Sequence, residues 1–370
     1  MSDATPAGTR VRDAFRDQAR SCDELGSPFT ARLCRLVADR LATGSKVGTH
    51  VLGWHGDPTS KGDSVPLRLA GALHALVLSG RDEELEASYP PNRYDDEALW
   101  QAITRAMEQQ AGFILDRLIT APQTNEVRRS AALLPGFLTV AQLFGKPLLL
   151  SEVGASAGLN LHWDRYRYAL AGNHWGNEAS AVAIAPEWSG ARPPLRNVEI
   201  IDRAGCDLNP IDPSDSEDRL RLLSYVWADQ QDRIDRTRQA LELAAFHGSL
   251  VERADAIDWL RMRLSIAHSG AAHVVYHSIA WQYLPQIARN AGEALISAAG
   301  AAATSEAPLA RLQMEADGQA PGAALSLQIW PSGDKHLVGR ADFHGRWVAW
   351  QDGRHDFRDN GEVIRTLSRV

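Results

Sequence analysis

A glycine turn that follows a short apolar run is the segment of this sequence best suited to chemistry. The run is Leu148–Val153, which has the length and character of a buried parallel strand, and the turn is Gly154–Gly158. Glycine permits positive φ and close approach to the backbone, and a helix that begins after the turn directs free N–H groups at its ligand. The segment therefore predicts a site for a carboxylate or phosphate group, or else a tight strand–helix turn that binds nothing.

The residues of this turn disfavour a dinucleotide-binding site and permit a serine nucleophile. The dinucleotide fingerprint needs glycine at positions 154, 156 and 159, and Ser156 and Leu159 break it, so a nicotinamide cofactor is disfavoured. A nucleophile elbow of the GxSxG type fits, with Ser156 as the nucleophile. Such an elbow needs an acid and a histidine later in the chain, and the candidates are Asp317 or Asp334 with His336 or His344.

Glu152–Gly158 also resembles the first motif of Rossmann-like, S-adenosylmethionine-dependent methyltransferases, with an acidic residue two positions before the first glycine. That resemblance implies a ribose-binding acid at the end of the second strand, for which Asp207 is the first choice and Asp202 the second. It also implies an acid near the adenine at Asp255, and a fourth strand, Val274–Ser278, that ends where the substrate meets the methyl group. The resemblance thereby assigns cofactor binding to Glu152, Gly154, Ser156, Gly158, Asp207, Asp255 and Ser278, and substrate binding to Tyr276.

The spacing departs from the methyltransferase pattern in one place. From Gly158 to Asp207 is a step of 49 residues, whereas a simple βαβ unit needs about 20 to reach its acid. The excess lies near 163–197 and is rich in Gly, Pro and Trp. We expect either an inserted flap beside the site or an ordinary surface insertion, followed by two short strands at Val198–Asp202 and Ala204–Leu208.

Polar groups stand where the first, helical part of the chain meets the part that carries the glycine turn. Gln123, Asn125 and Glu126 offer amide and carboxylate groups that an apolar interface does not need. We therefore expect an acceptor pocket between the two parts, with Gln123 and Asn125 in substrate binding and Glu126 or His277 as general base. The alternative is structural: Thr124 or Asn125 caps the helix that follows, and Glu126 complements its dipole.

The elements that must position these residues change character near Pro147. Before it, apolar residues repeat at helical spacing in about five segments. After it, apolar runs alternate with helical segments, and the last two runs are joined by a hairpin turn at Pro331–Asp334. The fold predicted is α/β, a Rossmann-like methyltransferase sheet that is mostly parallel with an antiparallel C-terminal hairpin, beside an all-helical N-terminal module. The predicted domains are 1–121 (helical module), 122–350 (sheet domain with the insertion) and 351–370 (C-terminal extension).

Almost the whole chain, to about Trp350, resembles a bacterial family known as domain of unknown function 2332. The segments that carry this resemblance are Pro122–Val127, Glu152–Leu161, Asp207–Asp212 and His344–Trp347. The family supplies no substrate, so the activity rests on the methyltransferase resemblance.

Net charge and the lengths of the apolar runs limit the classes of partner and the cellular compartment that we expect. The 370 residues carry a net charge of −7, which argues against a general nucleic-acid binder or a binder of anionic membranes, and no apolar run approaches a membrane span. His273 and His277 flank a strand-like run and would lie about 13 Å apart, too far to share a metal, so we predict no metal site. The expectation is a cytoplasmic protein that transfers a methyl group from S-adenosylmethionine to a small molecule. The alternatives are a serine hydrolase using Ser156 and a catalytically silent, methyltransferase-like binding protein.

Overall fold

The computed structural model describes residues 6–93 and 95–351, which form twelve α-helices, two short 3₁₀ helices (Leu159–Arg165 and Trp281–Tyr283) and twelve strands. The helices are α1 (Pro6–Glu24), α2 (Pro28–Arg40), α3 (Lys46–Leu52), α4 (Val65–Leu78), α5 (Glu83–Ala87), α6 (Asp96–Gln109), α7 (Ala111–Leu118), α8 (Arg129–Phe144), α9 (Ser216–Ser224), α10 (Gln231–His247), α11 (Ala256–Arg263) and α12 (Gln286–Ala301). The strands are β1 (Leu148–Val153), β2 (Arg167–Leu170), β3 (Asn173–Gly176), β4 (Ala183–Ile184), β5 (Glu187–Gly190), β6 (Ile200–Asp207), β7 (Val251–Arg253), β8 (Ala272–Ser278), β9 (Leu309–Glu315), β10 (Ala323–Trp330), β11 (Lys335–Ala341) and β12 (Trp347–Trp350). Apart from Gln351, the predicted C-terminal extension lies outside the described residues.

The chain divides into two compact units. One, the helical unit, contains the chain up to Thr124 together with Asp215–Arg238, which carries α9 and the first part of α10. The other, the sheet unit, contains Asn125–Ser214 and the chain from Gln239 onward. The helical unit therefore takes in a segment that lies between β6 and β7 in the sequence.

The helical unit has more helices than apolar periodicity predicts. Its core is built from fully buried side chains such as Phe15, Leu33 and Leu69. The helices α3 and α5 are too short to show a periodic apolar face, and side-chain caps mark their starts instead. Ser45 accepts a hydrogen bond from the backbone of Gly48, and Asp82 accepts one from Leu85, which satisfies amides left free at a helix start.

The sheet unit is built on a large mixed sheet of nine strands in the order β5-β12-β11-β10-β9-β8-β1-β6-β7. The five strands from β9 to β7 in this order are parallel, β10 to β12 add an antiparallel meander, and β5 pairs in parallel with β12. The hairpin turn at Pro331–Asp334 joins β10 to β11, as the sequence predicts. The two strands predicted between 198 and 208 are wrong, because β6 runs unbroken from Ile200 to Asp207.

The two central strands are fully buried, and one helix packs closely on them. Every residue of β1 and β8 is buried, as expected for strands covered on both faces. The helix α8 approaches the sheet at Gly136, where an added Cβ would lie 2.5 Å from a methyl carbon of Leu312 on β9. The strands β2, β3 and β4 form a separate small sheet within the insertion.

Each helix among the described residues is too short or too polar to cross a bilayer.

Candidate functional site

The glycine turn lies at the carboxyl end of β1 and is fixed to the end of β6. Gly154 and Gly158 both have positive φ, +70° and +71°, a region that favours glycine. A Cβ on Gly154 would lie 2.6 Å from that of Ala280, so a side chain has no room there. The backbone amides of Gly154 and Ala155 both donate to the carbonyl of Cys206, at 2.9 and 3.0 Å. The turn is therefore held by its neighbour strand as well as by its own conformation.

Asp207, the last residue of β6, reaches back to the same turn. One carboxylate oxygen accepts a hydrogen bond from the backbone N–H of Ser156, and the other accepts one from Asn209, both at 2.9 Å. Each carboxylate oxygen can accept two hydrogen bonds, so Asp207 keeps acceptor capacity beyond these two. The residue predicted to bind a ribose thus also holds the turn.

Ser156 occupies an unusual position at the centre of the turn. Its φ is +55°, which is costly for a residue with a Cβ, and the side chain is 3% exposed. Within the part of the chain that the structure describes, its hydroxyl has no hydrogen-bond partner, and so no base. A serine nucleophile needs a base within hydrogen-bond reach, which this arrangement lacks.

Glu152 is a buried carboxyl beneath the turn. It is 1% exposed, and Tyr276 on β8 donates its hydroxyl to the carboxyl at 3.1 Å. Burial raises the pKa of Glu152 to about 8, although Tyr276 and the nearby positive charge of Arg129 oppose that rise. At neutral pH the carboxyl is therefore mostly protonated.

The segment that precedes α8 is hydrogen-bonded to the residues that follow Gly158 at the end of the turn. Asn125 accepts a hydrogen bond from the backbone of Leu159 at 2.8 Å. Asn160 donates to the carbonyl of Glu126 at 3.4 Å and accepts from the hydroxyl of Ser130 at 2.7 Å. The N-cap residue of α8, Arg128, makes no side-chain cap, and the Asn125 side chain supports the glycine turn.

The other polar residues predicted near position 125 belong to different units of the chain. Glu126 is 3% exposed, and its carboxylate accepts a hydrogen bond from the backbone of Arg128 at 3.1 Å. Thr124 does not cap α8, and like Gln123 it belongs to the helical unit. Of the polar residues predicted around position 125, Asn125 and Glu126 are thus the two in the sheet unit.

His277, at the carboxyl end of β8, has both ring nitrogens engaged. Nδ1 lies 2.7 Å from a carboxylate oxygen of Glu315, and Nε2 lies 3.2 and 3.3 Å from two nitrogens of Arg311. A guanidinium can only donate, so Nε2 accepts and the proton resides on Nδ1. Burial lowers the pKa of His277, which keeps the ring neutral. The predicted general base therefore has no free nitrogen to offer a substrate in this arrangement.

Asp255 and Ser278 both contribute to the backbone scaffold. Asp255 caps α11 by accepting hydrogen bonds from the amides of Ile257 and Asp258, at 2.9 and 3.2 Å. The carbonyl of Ser278 accepts one from Arg129 at 3.1 Å.

Comparison with known proteins identifies the family. The family model described as uncharacterized protein conserved in bacteria (DUF2332) matches residues 12–350. The chain belongs to this DUF2332 family. No curated protein and no solved structure matches the chain.

In this DUF2332 protein, sequence reasoning missed four residues that organise the carboxyl edge of the sheet. Asn160 and Arg129 link the turn, α8 and β8, while Arg311 and Glu315 enclose His277. Asn160 was the easiest to find, because it follows Gly158 by two positions in the motif itself. Arg311 and Glu315 lie on a strand and carry no sequence signal beyond charge within an apolar run.

Proposed function

We propose that this protein is an S-adenosylmethionine-dependent methyltransferase that acts on a small molecule. The observation that carries the proposal is the contact between Asp207 and the backbone of Ser156, which joins an acid at the end of β6 to the glycine turn at the end of β1. These strands belong to the parallel series β7-β6-β1-β8-β9, in which the chain order reverses at β1. Open α/β sheets bind ligands beyond the carboxyl ends of their strands at such a reversal.

The chemistry of the residues at this edge fits the cofactor. Asp207 has carboxylate acceptors left for the two hydroxyls of a ribose, and the small residues of Gly154–Gly158 keep the backbone accessible. Asp255 remains the candidate for the adenine amino group, since a carboxylate that caps a helix retains further lone pairs. The cofactor supplies an activated methyl group when bound.

The chain's own residues then orient the acceptor and receive a proton. Methyl transfer to an O–H or N–H group leaves a proton that a carboxylate can take. Because both nitrogens of His277 are engaged, Glu126 is the stronger of the two bases that the sequence suggests. Tyr276, predicted to touch the substrate, has a fully buried ring against Phe137 and a hydroxyl directed at Glu152, so we propose that it supports Glu152 instead.

Binding of the cofactor or its demethylated product is the direct test. A ligand present at 100 times its Kd stabilises a fold by about 2.7 kcal/mol, and each kcal/mol raises Tm by about 2–4 °C for a unit of this size. We expect S-adenosylhomocysteine to raise Tm by several degrees, with calorimetry giving a one-to-one complex. Asp207→Ala should abolish most of that shift.

The control separates loss of binding from damage to the turn. Asp207→Ala removes two backbone hydrogen bonds, so the quantity to compare is the shift caused by ligand, not Tm itself. Asp57→Ala removes a similar aspartate-to-backbone bond, to Thr59 in the helical unit, and should keep the full ligand-induced shift. A flat melting curve through millimolar cofactor and product, with no calorimetric heat, would eliminate the proposal.

Replacement of Ser156 distinguishes transferase from hydrolase. Ser156→Gly relieves a positive φ and removes a buried hydroxyl without a partner, at the cost of glycine's greater freedom in the unfolded chain. We expect a gain of about 1 kcal/mol in the free energy of unfolding, and undiminished cofactor binding. Ser156→Ala, which keeps the Cβ, should gain less.

A fluorophosphonate probe completes this test. The wild-type protein should remain unlabelled, because Ser156 has no base beside it. Covalent labelling at Ser156, lost in Ser156→Ala, would favour the hydrolase alternative over methyl transfer.

A further inference from the structure

A cavity of the sheet unit lies in the insertion, and the glycine turn does not line it. Its volume is about 1060 Å³, and β2, β3, β4 and Leu195–Val198 line it. Leu195–Val198 come just before β6, so the cavity reaches the amino-terminal edge of the sheet. Asp207 stands at the other end of that strand, and neither Asp207 nor Gly154–Gly158 is among the residues that line the cavity. A ligand in this cavity would therefore occupy a site distinct from the proposed cofactor site.

An aromatic platform forms one wall of the cavity. Trp175 stacks on the buried Trp163, with ring centroids 5.6 Å apart, and Trp163 stacks in turn on Phe137 of α8 at 4.6 Å. The indole N–H of Trp175 donates to the carbonyl of Arg196 at 2.9 Å, which fixes the ring in its plane. Tyr168 lies 5.9 Å from the same ring. Such an ordered aromatic wall suits a planar ring, because little entropy is lost when the ring stacks.

Two guanidinium groups on the same lining carry no carboxylate partner. Neither Arg167 nor Arg196 forms an ion pair with any described residue, in a protein whose net charge is −7. The carboxylate of Asp164, which also lines the cavity, is held by Arg203 through two bonds of 2.6 and 2.9 Å. Glu178 is the other acid of the lining. With Asp164 neutralised by Arg203, the lining has two guanidinium groups against the single carboxylate of Glu178, which suits an oxyanion.

We propose that this cavity binds a planar aromatic oxyanion, whose ring stacks against Trp175 while its anionic group pairs with Arg167 and Arg196. Both guanidinium groups are exposed, so each is accessible to the anionic group of a ligand. Carboxylate and phosphate share the bidentate geometry that arginine recognises, and the experiment distinguishes them.

The test is calorimetric titration of the full chain with three probes of one shape. These are 2-naphthoate, 2-naphthyl phosphate and the neutral 2-naphthamide. We expect at least one anion to bind at least tenfold more tightly than the amide, and the better anion identifies the class. Arg167→Gln and Arg196→Gln should each weaken that anion about tenfold. Saturating S-adenosylhomocysteine should not displace it.

Matched variants show whether a loss of affinity comes from the lining of the cavity or from a change elsewhere in the insertion. Arg192→Gln alters an exposed arginine of the same insertion that does not line the cavity, and should leave the affinity unchanged. Trp175→Phe keeps a ring for stacking and should bind more tightly than Trp175→Leu. If the leucine variant fails to fold, the exposed arginine variants still decide the outcome. Absence of heat for both anions at millimolar concentration, equal affinity for the amide, an Arg192→Gln effect as large as the others, or displacement by S-adenosylhomocysteine would each overturn the proposal.

Discussion

Arg311→Met should lower the free energy of unfolding by about 3 kcal/mol. The Arg311 side chain is 1% exposed, pairs with Glu293 and donates two hydrogen bonds to His277. Its guanidinium also lies 4.5 Å from the ring centroid of Trp281. Removing one member of a buried network leaves the others unpaired, which typically costs about 3–5 kcal/mol. We expect the lower end of this range of free-energy costs, because Glu293 is half exposed and can turn to water.

Urea unfolding measures this loss, and an exposed pair provides the control. Arg261 pairs with Asp258 on the surface of α11, with side chains 59% and 74% exposed. Arg261→Met should change the free energy of unfolding by no more than about 0.5 kcal/mol. Equal losses for the two variants would contradict the structural role assigned to Arg311.

Glu152→Gln should change the pH dependence of stability. Burial raises the pKa of the folded-state carboxyl to about 8, from an ordinary value of 4.5. Because the folded state holds the proton more tightly, this stabilisation is complete below the unfolded pKa and is lost as pH rises towards 8. Between those limits the loss is about 1.4 kcal/mol per pH unit. The neutral glutamine has no such loss, so its stability relative to wild type should increase steadily from pH 5 to pH 8.

Denaturant unfolding at pH 5, 6, 7 and 8 gives the comparison directly. Glu199→Gln, which removes an exposed carboxyl just before β6, is the matched control. A constant difference between Glu152→Gln and wild type over this range would show that Glu152 does not titrate there. A trend of similar size for Glu199→Gln would show that burial is not its cause.

Two carboxyls at one edge of the sheet, Glu152 and Glu315, have opposite surroundings. Glu152 has a neutral hydroxyl as its nearest partner, so burial dominates and the proton stays. Glu315 accepts from His277 and from the backbone amides of Ala280 and Trp281, and these bonds keep its pKa low despite burial. One carboxyl is therefore mostly neutral at pH 7 and the other is ionised, which gives this edge both a proton donor and an anion.

The local pattern of the sequence determined the glycine turn and the strand that leads into it. The predicted strand Leu148–Val153 coincides with β1, and both flanking glycines of the turn have the positive φ that their positions suggest. The hairpin at Pro331–Asp334 was equally readable. Each of these features depends on residues within a few positions of one another. Backbone sterics and the local pattern of apolar residues are therefore sufficient to predict it.

The tertiary structure alone decided which polar side chains are free and which are engaged. The sequence predicts His277 as a base, but Arg311 and Glu315, 34 and 38 residues later, engage its two ring nitrogens. Asn125 was predicted to bind the substrate or, alternatively, to cap α8, and its partner is the backbone of Leu159, 34 residues away. The assignment of Asp215–Arg238 to the helical unit also escaped prediction. Such contacts depend on strand order and register, and a shift of one residue turns every side chain of a strand to the other face.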